Sequence, residues 1–519
     1  MNKRLLEHEK RAILIRLPVA LALMLVSSWS IAFPYLGFNS DTAIFGVMGK
    51  DLLAHNYFPI FLYGQKYLFS FTSHLVAGFL ALGLDEILAL RLSAVLVSVA
   101  GIWLFFEALL RYLPEREIGL PVSTSVMCLV VASPPFVGLI FQPSGQDWTI
   151  FLTGAGLWFV ARQKEHTASA ANWVALGYFC AYTFFCRPQI LLLIVPALLG
   201  ALRGLVLRKV SLLCFLGGLF FGYLPVLFHI VFRAHDWPIV HYTPALILGR
   251  FEDFSRQGRL LFGEIIPILF SIESFDRWAL GGIVFLGVVG FSVLRNEDLP
   301  TAGLILGSGV TLALLVGIDK LTVDVASIRY CLPFYLVAIW ITWVRASQQP
   351  SLVRPLVLIS FAMLLSSIPK WVDFTWECVA YQKDHISLEN RLLVELPRDG
   401  VVFADYWESY AWGYVLDDQV ALEAYPFHAV RRMGRWTALI GTRPSYWLVD
   451  KEKKGSIWTE LRRKGFEPEG WEMIKSFEGM GHTYELYKLT DIQTGRLLIE
   501  RYIPVYLQTS YPPGGSLTH

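Results

Sequence analysis

Charge is scarce in this 519-residue sequence: only 17% of the residues are charged, whereas 55% are hydrophobic. Soluble globular chains carry about 25% charged residues. The deficit comes from repeated apolar stretches that approach the roughly 20 residues needed to cross a bilayer as a helix. The sequence therefore predicts a mainly α-helical polytopic membrane protein, and an ordinary soluble globular chain is excluded.

The sequence also lacks basic runs, paired cysteines and a signal-peptide cleavage site. With a net charge of only +2 and no basic run, nucleic acid is not expected as a partner. The six cysteines include no CxxC pair, so neither a zinc site nor a disulfide framework is expected. No small-residue cleavage site follows the first apolar segment, which ends at Phe33 and is interpreted as an uncleaved anchor.

Eleven apolar stretches are predicted to span the membrane. They lie at residues 12–33, 86–110, 119–141, 147–162, 170–186, 188–204, 209–233, 276–295, 299–318, 329–346 and 351–369. With a cytoplasmic N-terminus, every short inside loop carries a positive charge in it or at its edge, as the positive-inside rule requires. These charges are Arg111, Arg116, Arg162, Lys164, Arg203, Arg208, Lys209, Arg295, Arg345 and Arg354.

Three further segments are interpreted as helices at the outer interface of the membrane. Residues 67–84 and 259–272 are shorter or more polar than the spans, and counting either as a crossing breaks the charge pattern. In the stretch from Asp41 to Ala54, apolar residues recur at helical spacing and predict one apolar stripe of Ile44, Phe45, Met48 and Leu52. Residues 1–369 are thus expected to form one transmembrane module with a large first outer loop at 34–85.

From Lys370 the composition becomes polar, which predicts a soluble α/β domain over residues 370–519. An odd number of crossings places this tail outside the cytoplasm. Strands are predicted at Gly400–Ala404 and Ser445–Val449, a hairpin at Met473–Phe477 with Thr483–Tyr487, and a helix at Ile457–Lys464 with Ser456 as its N-cap.

Polar groups collect on the predicted outer side, and Asp41 comes first among them. A carboxylate can act as general base towards a hydroxyl nucleophile, and an inverting sugar transfer needs such a base opposite the leaving group. The alternative is structural: Ser40 caps a helix and Asp41 lies in its first turn because the helix dipole favours an acid there.

Asp147 is a second acid at the outer start of a span, and its structural alternative is the same as for Asp41. Two such acids can orient an acceptor or hold a divalent cation; no cofactor is predicted with certainty. Arg187 and Arg329 lie at outer ends of spans, where each either snorkels to the interface or binds a lipid-linked phosphate. Lys66 and Lys320 could assist as point charges.

Substrate-binding candidates in the first outer loop are His55, Tyr63 and Gln65. A tyrosine at this depth either belongs to the aromatic belt of the membrane or stacks on a sugar ring, and a histidine there is more often an interface residue. The sequence does not separate these two interpretations.

The first-loop sequence, from Asp41-Thr42-Ala43-Ile44 to Phe58-Pro59-Ile60-Phe61-Leu62-Tyr63-Gly64-Gln65-Lys66-Tyr67, resembles membrane glycosyltransferases of the GT-C fold. The group in question is the bacterial family related to protein O-mannosyltransferases and to the lipid A aminoarabinose transferase. Arg329-Tyr330-Cys331-Leu332-Pro333 resembles the opening of a late span in that family. The tail segments Val402–Trp407 and Pro444–Trp447 resemble the extracytoplasmic domain of some members.

This resemblance implies an inverting transfer of a sugar from a polyprenyl-phosphate donor to a hydroxyl on a glycan, lipid or protein acceptor at the outer face of the bacterial inner membrane. It implies that Asp41 is the catalytic base, that Asp147 is a second acid, and that Arg187 and Arg329 bind the lipid phosphate. Many relatives have Glu where this chain has Thr42, so two adjacent carboxylates are not implied.

Two other classes of protein remain open. A transporter or flippase of lipid-linked saccharides would place binding groups near the bilayer midplane and often shows internal repeats. Here the ionisable groups cluster at the outer rim, and no repeat is visible. A non-catalytic assembly or sensing protein is the third reading, and the long first loop argues against it.

Overall fold

The fold is described from a computed structural model. It covers residues 3–54, 71–113, 115–142, 146–163, 169–206, 209–233, 299–317, 330–416, 419–424, 442–463 and 471–489, with the single residues 256, 259, 439 and 468. The described residues pack into two units. One comprises those within Met1–Ala32, Ala94–Pro225 and Thr243–Trp376, and the other those within Phe33–Ser93, Val226–Tyr242 and Glu377–His519.

Helices make up most of the described chain up to residue 395. In chain order they are α1 Lys3–Ala32, α2 Ser40–Leu53, α3 Phe71–Ala81, α4 Glu86–Tyr112, α5 Glu115–Val131, α6 Pro134–Ile140, α7 Gln146–Gln163, α8 Ala170–Cys186, α9 Pro188–Val206, α10 Lys209–Arg233, α11 Leu299–Gly317, α12 Leu332–Gln348 and α13 Val353–Glu395. A short 3₁₀ turn, Pro350–Leu352, precedes α13. The mainly helical class predicted from the sequence is confirmed.

Four of these helical stretches are long and apolar enough to cross a membrane by length and composition: Glu9–Ala32, Glu86–Tyr112, Val210–Leu227 and Pro350–Glu395. Three of them expose rows of large apolar side chains, which water would disfavour and lipid would accept. These rows include Leu14, Leu21, Leu25, Leu213, Phe220, Leu224, Leu358, Phe361 and Leu365. The fold therefore fits a protein that crosses a membrane several times.

Two predicted spans differ from the helices that form. The stretch 119–141 is broken between α5 and α6, because Ser133 caps a new helix and its Oγ accepts a hydrogen bond from the Phe136 N–H at 3.3 Å. Pro134 and Pro135, with no N–H to donate, begin α6 and cannot extend α5. The stretch 351–369 belongs to a 43-residue helix that continues to Glu395.

Two predicted segments, the span at 276–295 and the interfacial helix at 259–272, lie almost entirely outside the described residues. The count of eleven spans therefore stays a prediction. The domain boundary at residue 370 also stays a prediction.

The tail of the second unit contains a five-stranded mixed sheet. Its strands are β1 Val401–Ala404, β2 Ala421–Ala424, β3 Ser445–Asp450, β4 Glu472–Gly479 and β5 His482–Lys488, in the order β2-β1-β3-β5-β4. β1 is parallel to both β2 and β3, whereas β3–β5 and β5–β4 are antiparallel pairs. The chain enters α14 (Tyr406–Val415) directly after β1 and α15 (Lys454–Arg463) after β3.

Strand alternation divides the core of the tail into two layers on opposite faces of the sheet. Val402 and Ala404 face the end of α13 and α14, in one cluster with Leu388, Leu392, Trp412, Leu448, Tyr484 and Leu486. Val401 and Phe403 face α15, in a second cluster with Trp447, Val449, Ile457, Trp458 and Leu461. This period of two explains why β1 and β3 are buried along their whole length.

The strands and the hairpin predicted for the tail are confirmed to within a few residues. The hairpin turn is Met480-Gly481, and both residues have positive φ, 51° and 77°, as a type I′ turn requires. The predicted N-cap at Ser456 is wrong: α15 begins at Lys454, and the Ser456 hydroxyl donates to the Lys453 carbonyl at 2.7 Å.

Candidate functional site

Asp41 lies in the first turn of α2, half-buried, and a different residue caps the helix. The N-cap is Asn39, whose side-chain oxygen accepts from the Thr42 N–H at 3.1 Å. The Asn39 N–H in turn donates to Thr42 Oγ1 at 2.9 Å, which completes a capping box. The prediction of Ser40 as the cap is therefore wrong, and capping the helix does not require the Asp41 carboxylate. The positive end of the helix dipole stabilises a carboxylate in this turn.

Ser40 joins α2 to the tail instead of capping the helix. Its Oγ accepts a hydrogen bond from the backbone N–H of Ala411, in α14, at 3.2 Å. The residue beside Asp41 is thus fixed by an element more than 360 positions away in the sequence. The acid-bearing turn and the tail helix therefore form one packed structure within the second unit.

A close contact between Gly46 and Tyr414 locks the middle of α2 onto α14. A Cβ at Gly46 would fall 2.5 Å from Tyr414 Cε2, so only glycine lets the ring lie this near the helix. The Tyr414 hydroxyl donates to the Glu86 carbonyl at 2.9 Å. Burial, then Glu86 and Asp85, raise the pKa of Tyr414 well above its usual range, so this donor stays protonated.

Lys50 adds contacts from α2 to both Tyr414 and Glu86. Its Nζ donates to the Tyr414 carbonyl at 2.7 Å and lies 3.4 Å from Glu86 Oε1. Of the apolar stripe predicted for this helix, Ile44, Phe45 and Met48 are buried and Leu52 is half-buried. Ala43 and Val47, which lie off the stripe, are buried as well. Protein therefore encloses α2 on most of its surface, instead of along one stripe only as predicted for an interfacial helix.

Residues 33–39, which lead into Asp41, are held by a buried arginine. Arg91 is 1% exposed, and its guanidinium donates to the carbonyls of Pro34, at 3.0 Å, and Leu36. Backbone carbonyls that lose water on burial need such a donor. Sequence reasoning missed this residue, although a single arginine inside an apolar stretch is a signal in itself.

A polar and aromatic group from α13 supports the same segment. The Tyr35 hydroxyl donates to Glu389 Oε2 at 2.6 Å, and burial, followed by Glu389, raises the pKa of Tyr35. His385 packs its ring against Tyr35, Phe38 and Tyr381, at centroid distances of 5.7, 6.3 and 4.3 Å. The loop before Asp41 is therefore fixed on two sides, by α4 and by α13.

Asp147 and Arg187 belong to the first unit, whereas Asp41 belongs to the second. Asp147 lies in the first turn of α7 with no exposed surface. Arg187 is the C-cap of α8, half-buried, at the corner where Pro188 begins α9; its N–H donates to the Thr183 carbonyl at 2.7 Å. A cation at a helix C-terminus is favoured by the dipole. A divalent cation shared by Asp41 and Asp147 stays a prediction.

The remaining site candidates lie outside the described residues: His55, Tyr63, Gln65, Lys66, Lys320 and Arg329. The end of the Arg-Tyr-x-x-Pro segment is described. Cys331 is the N-cap of α12, with Pro333 in its first turn, so this segment opens a helix as predicted.

Comparison with solved structures finds similar chains. Two of them are the crystal structures of ArnT from Cupriavidus metallidurans bound to undecaprenyl phosphate and in the apo state. Each is 13% identical to this chain and covers 90% of it, with TM-scores of 0.43 and 0.42; the matches span 98% and 97% of those chains. ArnT is a lipid A aminoarabinose transferase of the GT-C fold, so the resemblance expected from the sequence is confirmed.

No family model matches the sequence, and no curated protein matches it. With identity and TM-scores this low, the structural likeness assigns neither a family membership nor an activity to this chain.

Proposed function

We propose that this protein transfers a sugar from a polyprenyl-phosphate-linked donor to an acceptor hydroxyl at the outer face of the inner membrane. The observation that carries the proposal is the environment of Asp41. An acid that does not cap its own helix is held half-exposed in the first turn of an otherwise enclosed helix, and α4, α13 and α14 fix that turn and the segment leading to it. Such rigid support is what a positioned general base needs.

In the proposed reaction, the Asp41 carboxylate takes the proton from the acceptor hydroxyl as its oxygen attacks the anomeric carbon. The bond between that carbon and the phosphate oxygen breaks, and its electron pair leaves with the polyprenyl phosphate. Attack opposite the leaving group inverts the anomeric centre. Arg187 and Arg329, with Lys66 and Lys320, neutralise the phosphate, because guanidinium and ammonium groups match its oxygens.

The other candidates support substrate binding in this proposal. Asp147 is the second acid; because it has no exposed surface, it supports the acceptor site from behind and does not contact the acceptor itself. Tyr63, Gln65 and His55 contact the sugar. The acceptor is a glycan, a lipid or a protein that carries a free hydroxyl.

The direct contact of α2 with α14 supports the sidedness of the proposal. Because Ser40 and Ala411 are hydrogen-bonded, the acid-bearing helix and the tail helix lie on the same side of any membrane. Basic residues in the last turns of α4, α7 and α12 (Arg111, Arg162 and Arg345) support a cytoplasmic location for those three helix ends. The N-terminus is then cytoplasmic and the tail is outside.

The test is mass spectrometry of envelope glycans and glycolipids in cells that express the wild-type chain, Asp41→Asn or Asp51→Asn. Asp51 is a buried acid of the same helix, so Asp51→Asn is a matched control for loss of one carboxylate. We expect a sugar adduct with the wild type and with Asp51→Asn, and none with Asp41→Asn at equal expression. Near-normal adduct in Asp41→Asn would overturn the base assignment. Donor movement between leaflets without a new glycosidic bond would indicate a flippase.

A further inference from the structure

A second group of chemistry-bearing side chains lies at the sheet of the tail. β1 and β3 are parallel neighbours, and the helices that follow them, α14 and α15, pack on opposite faces of the sheet. The gap between their carboxyl ends is a topological switch point, the place where open α/β sheets bind ligands. Asp405 directly follows β1, and Asp450 is the last residue of β3.

Asp450 is the centre of this group. It is 6% exposed, and its Oδ1 accepts from the Glu452 N–H at 3.0 Å. Its Oδ2 lies 3.1 Å from His482 Nδ1, at the start of β5. One ligand atom each from Asp450, Glu452 and His482 all lie within 4.8 Å of one another. These three residues are called the sheet-edge triad.

The distance between Asp450 and His482 matches that of two ligands on one ion. Ligands at about 2.0–2.2 Å from a zinc-type ion are about 2.8–3.6 Å apart, with octahedral geometry at the short end of this interval and tetrahedral geometry at the long end. The measured 3.1 Å falls in that interval. Within the described part of the chain, His482 Nδ1 has the Asp450 carboxylate as its neighbour but makes no hydrogen bond of acceptable geometry, and the His482 side chain is 43% exposed. Both atoms, Asp450 Oδ2 and His482 Nδ1, can bind one cation that lies beside the line joining them.

We propose that the sheet-edge triad binds a divalent transition-metal ion of the zinc type. One imidazole and two carboxylates suit such an ion better than Mg²⁺, which prefers oxygen ligands alone. Glu452 is exposed in the turn after β3 and moves in as the third ligand. A fourth position stays open to water, as three protein ligands leave it. The ion fastens the turn before α15 to the start of β5.

The Lys453 ammonium competes with this ion for the Asp450 carboxylate. Its Nζ lies 3.9 Å from Asp450 Oδ2 and 3.5 Å from Asp405 Oδ2. When the ion binds, Lys453 keeps its partner Asp405 and gives up Asp450. Because the ammonium repels the ion at this distance, removing it should strengthen binding. If these residues form only a network of ion pairs and no metal site, replacing Lys453 should not change metal binding.

The proposal is tested by calorimetric titration of Zn²⁺ into the purified full chain in detergent after chelator treatment. The variants are His482→Gln and, as a matched control, Glu478→Gln, an exposed acid of the same hairpin. We expect the wild type and Glu478→Gln to bind one more equivalent than His482→Gln, or to bind it at least 10-fold more tightly. Mg²⁺ should bind more weakly than Zn²⁺. Equal stoichiometry and affinity in all three proteins overturns the proposal.

Lys453→Gln provides the second arm. We expect it to tighten Zn²⁺ binding by roughly 3- to 10-fold and to keep the wild-type melting temperature without metal to within a few degrees. Zn²⁺ should raise the melting temperature of the wild type and of Lys453→Gln, and leave that of His482→Gln unchanged. Weaker binding in Lys453→Gln contradicts the arrangement. This site does not depend on the sugar-transfer proposal, and its readout is independent of transfer.

Discussion

Asp41 and Asp147 carry the same sequence signal and lie in different environments. Each is an acid in the first turn of a helix, at the predicted outer end of an apolar segment. Asp41 is half-buried in a helix capped by Asn39, whereas Asp147 has no exposed surface. Burial of an ionised carboxylate costs free energy unless partners compensate. The comparison teaches that position in a helix does not determine whether an acid is enclosed; the surrounding packing does.

The largest expected effect separates these two acids directly. Asp41→Asn should lower the transfer rate by about 10²- to 10⁴-fold, the range for loss of a general base, with little change in melting temperature. Asp147→Asn should lower transfer less and should also lower the melting temperature, because the changed group is fully enclosed. Transfer kinetics and thermal unfolding of both variants in the same detergent check this. The distinction between the two acids is wrong if Asp41→Asn and Asp147→Asn change the transfer rate and the melting temperature in the same way.

The next effect concerns the packing that holds α2. Gly46→Val places two methyl groups where the Tyr414 ring lies, so overpacking should destabilise the second unit by about 1–3 kcal/mol and reduce transfer with it. Gly78→Val in α3 is the control, since a Cβ at Gly78 meets nothing within 4 Å. Thermal unfolding measures both. An equal loss in the two variants would show that the contact with Tyr414 is not what matters at Gly46.

A smaller effect is expected from the cap of α2. Asn39→Ala removes the acceptor for the Thr42 N–H and should cost about 1 kcal/mol, whereas Asn39→Asp keeps an oxygen there and should cost little. Denaturant unfolding compares the two variants. If aspartate is as harmful as alanine, the capping box does not stabilise the turn that carries Asp41.

The smallest effect extends the comparison to a third acid, Glu408 in the tail. Burial raises the pKa of Glu408 above its usual 4.5, although the Trp412 indole donates to it at 2.9 Å. Lys453 lowers this pKa, whereas Asp405 and Asp450 raise it. Between the unfolded and the raised folded pKa the folded state binds more protons, so stability falls as pH rises through that window.

Glu408→Gln should remove this part of the pH dependence, which is measured as the slope of unfolding free energy against pH above 4.5. Glu478→Gln serves as the exposed control and should keep the wild-type slope. A wild-type slope in Glu408→Gln as well would show that burial of this acid does not govern the pH dependence.

Much of the fold could be predicted from the sequence, because apolar periodicity and composition report local structure. Residues 170–186 were predicted as a span, and α8 occupies Ala170–Cys186. The hairpin was predicted from a glycine-containing turn between two alternating runs, and β4 and β5 form it. Ends of elements were less predictable, since Asn39 and Ser40 are both favourable caps and the sequence does not choose between them.

The support around Asp41 could not be predicted, because its partners are distant in the sequence. Tyr35 and Glu389 are 354 positions apart, and Ser40 and Ala411 are 371 apart. Such pairings depend on the tertiary fold, which local patterns do not contain. Arg91 is the exception: its charge stands inside an apolar stretch, and that alone marks it as a residue with a buried partner.

The central claim, that the acid-bearing helix and the tail share the outer compartment, is tested most directly by cysteine labelling of intact cells with a membrane-impermeant maleimide. The reporters are Leu53→Cys at the end of α2 and Glu478→Cys in the hairpin, both at exposed positions, with Lys10→Cys as the cytoplasmic control. The account predicts labelling above the native-cysteine background at 53 and 478 from outside, and at 10 only after permeabilisation. Labelling at 53 or 478 that also required permeabilisation would contradict it.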